Sequence, residues 1–536
     1  MPSPASLFFF FLLCFLSFSI SDQDNETNAF EESLLHQACF NTTAHEACLL
    51  RIRGSPASRL SRPISILQSA VRGAIDEAVR AAGTASDLAD ASASLREETA
   101  LRDCAELLSF SVDELDWSLA EIGRLVATSR SASSEANLRA WLSAALGNQD
   151  TCLEGFDGTD GRARRRIERR IAELTQLVAN LLAMYKRMRS IIPHASPPRN
   201  NTKRIPAPFP PPSWVAAESD LMRASMKSLR VDAVVASDGS GRYRSVSEAV
   251  NAAPSYSARR HVIYVKKGVY VENVEVKKKK RNIMMVGDGI GATVITGNRN
   301  FMQGWTTFRT ATFAVSGPGF IARDITFRNT AGAENHQAVA LRVDSDRSAF
   351  FRCSIEGHQD TLYAHSLRQF YRDCHIFGTI DFIFGNGLVV LQRCHIHTRR
   401  PLPDQKPTIT AQGRKDPNQN TGFSLHGCFV HANYPTYLGR PWKAFSRTVI
   451  MQSYLGAQVQ AGGWLEWAGD FGLSTLWYGE YGNYGPGARL SGRVGWPGYH
   501  VIRDAAVAGF FTVRRFIDGL TWLPRTGVEF TADLYK

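Results

Sequence analysis

A four-member repeat constrains the second half of this chain more tightly than any other feature. The segments Cys353-Ser-Ile355, Cys374-His-Ile376, Cys394-His-Ile396 and Cys428-Phe-Val430 follow one another at separations of 21, 20 and 34 residues. Short β-branched and aromatic runs surround them, such as His261-Val-Ile-Tyr-Val265, broken by Gly, Asn and Asp. A period of about twenty residues in β-rich sequence describes solenoid coils, the longest spacing taking an inserted loop. Residues 231–536 are therefore expected to form an all-β, right-handed parallel β-helix.

The first part of the chain reads differently. Residues 31–190 are rich in Ala, Leu, Arg and Glu, with apolar residues three and four apart, as in Leu119, Ile122, Leu125 and Val126. That is the signature of an all-α four-helix bundle. Its cysteines, Cys39, Cys48, Cys104 and Cys152, allow three pairings, of which 39–48 with 104–152 suits a stapled hairpin and a tie between distant helices. Residues 191–230 hold Pro-Ala-Pro-Phe-Pro-Pro-Pro and read as an extended linker with a dibasic Lys203-Arg204 pair. An apolar run from Leu7 to Ile20 marks 1–21 as a signal peptide, too short to span a bilayer comfortably, so no stable membrane anchor is expected. Sequons at Asn25, Asn41 and Asn200 agree with secretion. So do nine cysteines, one of them, Cys14, within the signal.

The net charge of +12 is unevenly placed. From Arg230 onward 37 Lys and Arg face 23 Asp and Glu, whereas the preceding part has 25 against 27. A basic secreted domain suits an acidic polysaccharide better than a nucleic acid.

Two neighbouring repeats agree far beyond the cysteine. Cys353-Ser-Ile-Glu-Gly-His-Gln-Asp-Thr-Leu-Tyr363 and Cys374-His-Ile-Phe-Gly-Thr-Ile-Asp-Phe-Ile-Phe384 fit one template, C-x-I-x-G-x-x-D-x-[LI]-[YF]. Equivalent positions on adjacent coils lie about 4.8 Å apart, which stacks Asp360 on Asp381. Close carboxylates resist ionising together, so one keeps its proton as an acid while the other is charged and nucleophilic. Gln359 and Gln337 are candidate amide donors to an oxyanion, and Arg440 is a candidate bidentate partner for the charged aspartate. The ladder cysteines fall within disulfide range, so a Cys353–Cys374 bridge and free thiols are both compatible with the spacing. Gly287-Asp-Gly-Ile-Gly291 lacks a following helix and is a turn rather than a phosphate cradle. His358, His375, His395 and His397 do not have metal-site spacing, and Lys277 to Arg281 is a solvated basic turn.

With these residues the chain resembles the plant pectin methylesterases. Gly268-Val-Tyr-Val-Glu272, Gln337-Ala-Val-Ala-Leu341, Gly357-His-Gln-Asp-Thr-Leu362, Asp381-Phe-Ile-Phe-Gly385 and Leu438-Gly-Arg-Pro-Trp442 carry the likeness, which covers Val231 to Leu534. Residues 31–188 resemble, more loosely, the pectin methylesterase and invertase inhibitor family. The resemblance implies a secreted, monomeric cell-wall hydrolase without metal or cofactor. It would remove methyl groups from the C6 esters of methylesterified homogalacturonan (pectin). It also implies roles: Asp381 as nucleophile, Asp360 as acid then base, Gln337 and Gln359 on the oxyanion, Arg440 orienting Asp381, and Thr307, Gln337, Arg440 and Trp442 lining the substrate cleft. The inhibitor-like part is expected to silence the enzyme while attached. The Arg-Arg-Leu-Leu cleavage site common between such domains is missing from Ser219 to Arg230. A depolymerase or a pectin-binding wall protein would share the fold and the substrate, but neither needs paired glutamines as oxyanion donors.

Overall fold

The structure is a computed structural model that describes residues 29–42, 45–53, 62–92, 94–127, 132–191 and 230–536. The signal peptide, most of the linker, Lys203-Arg204, Asn25 and Asn200 lie outside these residues. Asn41 is exposed beside the first disulfide.

The N-terminal part contains α1 (29–38), α2 (His45–Arg53), α3 (Arg62–Asp90), α4 (Leu95–Ala127), α5 (Ala132–Glu154) and α6 (Arg162–Ile191). The four long helices bury an apolar seam that includes Leu107, Leu108, Leu142, Leu174 and Leu181. Cys39–Cys48 staples the short hairpin of α1 and α2, and Cys104–Cys152 ties α4 to α5. Among the described residues no helix is long and apolar enough to cross a membrane.

From Ala233 the chain winds into a parallel β-helix whose strands stack in sheets of eleven, eight and seven, every pairing parallel. Register follows the sequence repeat: Ile355 pairs with Ile376 and Ile376 with Ile396, while Leu362 pairs with Ile383. A second repeat, silent in residue type, lies beneath it. Asp324, Arg352, Asp373, Arg393, Gly427 and Gln452 all adopt positive φ (49° to 62°), each two residues before the next strand of the eight-stranded sheet. One left-handed residue per coil reverses the chain between the eleven- and eight-stranded sheets. At Gly427 the requirement is doubled, because a Cβ there would lie 2.4 Å from the Tyr535 ring.

In the interior Phe313, Phe327 and Phe350 meet from the three sheets, and along each sheet register partners stack in columns, as Tyr371 does on Phe350 at 4.9 Å. The cysteines form one such column, and here the Cys353–Cys374 bridge that the spacing allowed is corrected. Cys353, Cys374, Cys394 and Cys428 are buried free thiols. Parallel register points their side chains the same way, and each sulfur instead approaches a main-chain carbonyl, Cys374 that of Phe350 at 3.4 Å and Cys428 that of Leu391 at 3.3 Å. The C-terminal segment packs Phe511, Phe516, Trp522 and Leu523 over the outer face of the eleven-stranded sheet. The outer faces of the other two sheets carry the features described next.

Candidate active site

The seven-stranded sheet presents one outward row along the solenoid axis. Arg342, Tyr363, Phe384, Ala411 and Arg440 are successive partners in register on five coils. Tyr363 and Phe384, the last residues of the two templates, stack at 4.1 Å and floor a cleft. The turns entering these strands carry Asp360 and Asp381. Both aspartates are left-handed (φ 62° and 50°), and the Asp360 amide donates to the Ile380 carbonyl at 3.1 Å, so the two lie one above the other. The template glycine has a steric reason: a Cβ at Gly378 would lie 2.1 Å from that of Phe382, and one at Gly357 2.8 Å from the Thr361 hydroxyl.

Arg440 reaches back two coils to Asp381. Its Nε donates to Oδ1 at 2.8 Å and its Nη2 to Oδ2 at 2.6 Å. The intervening position in the row is Ala411, whose small side chain leaves the span open. Both carboxyls are buried. Burial raises Asp360 well above the usual aspartate range, and the neighbouring charge of Asp381 raises it further. Asp381 is also raised by burial, but the hydrogen bonds and charge of Arg440 oppose the rise. Asp381 is thus the carboxyl that ionises first, while Asp360 holds its proton.

The same cleft, of about 430 Å³, is lined by Thr307, Gln337, Gln359 and Trp442 as well. The structure therefore collects every residue that the sequence marked for chemistry or substrate contact. Gln337 and Gln359 sit on successive coils, the Ala338 amide donating to the Gln359 carbonyl at 3.3 Å. Trp442 packs edge-on against Phe384 at 5.9 Å. Sequence reasoning missed Trp467, whose ring lies 4.4 Å from the Arg440 guanidinium, because it belongs to no repeat.

It also missed what roofs the cleft. Asp103, Thr151, Glu154, Gly155, Asp157 and Arg164 of the helical part complete the lining. Thr151 meets His365 Nε2 at 2.9 Å and the Tyr363 hydroxyl at 3.3 Å. Around this contact Lys443 pairs with Glu154 at 2.6 Å, Lys278 with Glu114 at 3.1 Å, and Arg309 with Asp103 and Glu106. The Trp141 indole donates to Asp346 at 3.0 Å.

A parallel β-helix with paired carboxyls, an arginine clamp and amide-bearing side chains at one cleft defines a polysaccharide-modifying hydrolase of the solenoid type. Comparison with known proteins makes the class specific. Residues 232–520 match the family profile "Pectinesterase", and residues 33–184 match "Plant invertase/pectin methylesterase inhibitor". A chain assigned as pectinesterase/pectinesterase inhibitor 22 in Arabidopsis thaliana is 56% identical over 94% of this chain and 93% of its own. The pectinesterase/pectinesterase inhibitor PPE8B of Prunus persica is 52% identical over 86% and 87%. Among solved structures, the pectin methylesterase from carrot is 54% identical with a TM-score of 0.57, covering 58% of this chain and 100% of its own. The chain belongs to the pectinesterase family and is an enzyme of that family, with an inhibitor-type domain ahead of it.

Proposed function

We propose that this protein removes methyl groups from the C6 esters of homogalacturonan in the plant cell wall, through an aspartyl acyl-enzyme, and that its helical domain holds it inactive while docked. The observation that carries the reading is the stacked Asp360 and Asp381, with Arg440 bonded to only one of them.

An Asp381 oxygen attacks the ester carbonyl carbon, and the carbonyl oxygen becomes an oxyanion that the Gln337 and Gln359 side-chain N–H groups receive. The tetrahedral species collapses by breaking the bond to methoxide, which takes the Asp360 proton and leaves as methanol. Asp360, now a carboxylate, removes a proton from water. The resulting hydroxide attacks the galacturonyl carbonyl carbon of the anhydride, breaking its bond to the Asp381 oxygen; Asp381 leaves as a carboxylate, Asp360 is protonated again, and the new galacturonic acid carboxyl loses its proton to solvent. Arg440 holds Asp381 charged and aimed throughout. Tyr363, Phe384, Trp442 and Trp467 offer aromatic surface for sugar rings, and the basic β-helix suits a product that grows more anionic. With Thr151, Glu154 and Asp157 over the same cleft, a polymer has no room while the bundle stays in place. The protein is read as a secreted monomer.

The carrot relative is covered whole by the catalytic part alone, so the 230–536 fragment is a reasonable folded unit to assay. Methanol release from highly methylated pectin, without chain shortening, is expected from that fragment. It should fall by on the order of 10⁴-fold or more in Asp381→Ala. The full-length chain should be much less active. Chain shortening, or equal activity of fragment and full chain, would refute the esterase reading or the autoinhibition respectively.

A further inference from the structure

The eight-stranded sheet carries a second constellation on its outer face, and none of its residues lines the catalytic cleft. His395 and His397 are two apart on one strand (His395–Thr398) and so project to the same side. The next coil places His431 in register with His397 and diagonal to His395. One ring nitrogen from each of the three lies within 4.8 Å of the other two. His395 Nδ1 and His431 Nε2 are already 3.0 Å apart. His375, on the preceding coil, brings Nδ1 to 3.3 Å from His397 Nε2.

We infer that His395, His397 and His431 form a binding site for a divalent transition ion of the zinc or copper type, with His375 holding the ring of His397. Two histidines alternating on one strand and a third on its neighbour gather three imidazoles on one rigid face, their rings 7–15° from parallel, and a bound ion would take the place of the His395–His431 hydrogen bond. Zinc–nitrogen bonds of about 2.0–2.1 Å place the nitrogens of a tetrahedral site about 3.3 Å apart. The 3.0 Å contact is close to that spacing, and the His397 nitrogen lies within 4.8 Å of both others. The rings are half-buried, so they are oriented yet reachable from solvent, and the fourth position stays open for water. Stacking alone does not call for imidazole here, because Phe377 and Phe429 occupy equivalent places in the same ladder, 4.4 Å from His397 and 4.9 Å from His395. Imidazole adds lone pairs to a stack that phenyl rings already satisfy. The nearby carboxylate of Glu356 is engaged by Arg328 at 2.7 Å, which leaves an all-nitrogen set. Such a set selects zinc, copper or nickel over calcium and magnesium. The ligands come from consecutive coils joined by the long 399–421 connection, which includes the strand Thr408–Gln412. A bound ion would therefore clasp the coil bearing Ala411 to the coil bearing Arg440.

Titration of full-length protein with Zn²⁺ by calorimetry should show one ion bound per chain and a raised unfolding temperature. Either His397→Gln or His431→Gln should weaken binding about a hundredfold or more, beyond what loss of a supporting partner gives. His36→Gln on the exposed face of α1 should leave it unchanged. Because these side chains face outward, circular dichroism and methanol release by the variants' 230–536 fragments should match those of the parent fragment. Independently of any variant, Co²⁺ bound to the parent protein should give the intense visible absorption of a four- or five-coordinate nitrogen site. Absence of Zn²⁺ binding by the folded parent, affinity unchanged in both variants, a weak six-coordinate Co²⁺ spectrum, or displacement by equimolar Ca²⁺ would each overturn the assignment.

Discussion

Asp360 and Asp381 are the same residue of the same template, yet the opposite tasks proposed for them rest on one difference in surroundings. Arg440 bonds to Asp381 and not to Asp360. Since Arg440 lowers Asp381 against the effect of burial, Arg440→Gln should let its carboxyl rise further. If Asp381 is the nucleophile, as proposed, it must be ionised, so the acid limb of the kcat/KM profile of the 230–536 fragment should move to higher pH. An unmoved limb would mean that Arg440 only binds substrate. In the proposed mechanism Gln359 meets charge that exists only in the tetrahedral species. Gln359→Ala should therefore lower kcat about 10²–10³-fold with little change in KM. The row position between the aspartate and the arginine matters as much. Ala411→Leu would fill the gap through which Arg440 reaches, and it should reproduce the acid-limb shift without removing a polar group.

At the scale of the coil, the fold depends on one left-handed residue per turn and on columns of identical side chains. Gly427→Ala combines positive φ with a clash against Tyr535. It should destabilise the β-helix by about 1–3 kcal/mol, measured as a lower urea midpoint for the 230–536 fragment. The cysteine column has a different test. Its thiols are fully enclosed, so they should be inert to a water-soluble disulfide reagent in the native protein and react only after denaturation. Rapid reaction of Cys353 or Cys374 in the native state would contradict the packed column.

The whole molecule is two units joined over a charged interface. Glu114 of the bundle is pushed up to about 7, chiefly by burial, with Lys278 opposing. Burial also raises Asp103, Asp150 and Glu154 against their Arg309, Lys415 and Lys443 partners. Carboxyls that hold protons more tightly when docked make docking strongest at acid pH. That contribution is lost as pH rises from the usual Glu value of 4.5 through about 7. The activity of the full chain relative to the 230–536 fragment should therefore climb over this window. A flat ratio would assign dormancy to packing alone. Lys278 lies away from the cleft lining, and Lys278→Glu would set like charges against Glu114 and Asp113. Breaking a buried pair costs about 3–5 kcal/mol, so the full chain should gain about tenfold or more in activity while the fragment is unchanged.

The sequence by itself determined the solenoid, because parallel in-register strands bring a residue over its counterpart one coil away. A sequence repeat is then already a spatial map, and the stacking of Asp360 on Asp381 could be read from it. The helical bundle was equally legible from its apolar period. Arg440 and the glutamines were recognisable as motif residues, but their convergence was not, since nothing in the local pattern says that a chain two coils away bends back across an alanine. The state of the cysteine column also had to come from the fold: spacing allowed a bridge, while the common direction of the side chains and the carbonyls beside them left free thiols. Trp467 enters the cleft from outside the repeat. His431 joins His395 and His397 only because a 34-residue excursion returns to the same register. The seating of the bundle on the cleft was settled last, by complementary charges and shapes on two surfaces that the sequence writes hundreds of residues apart.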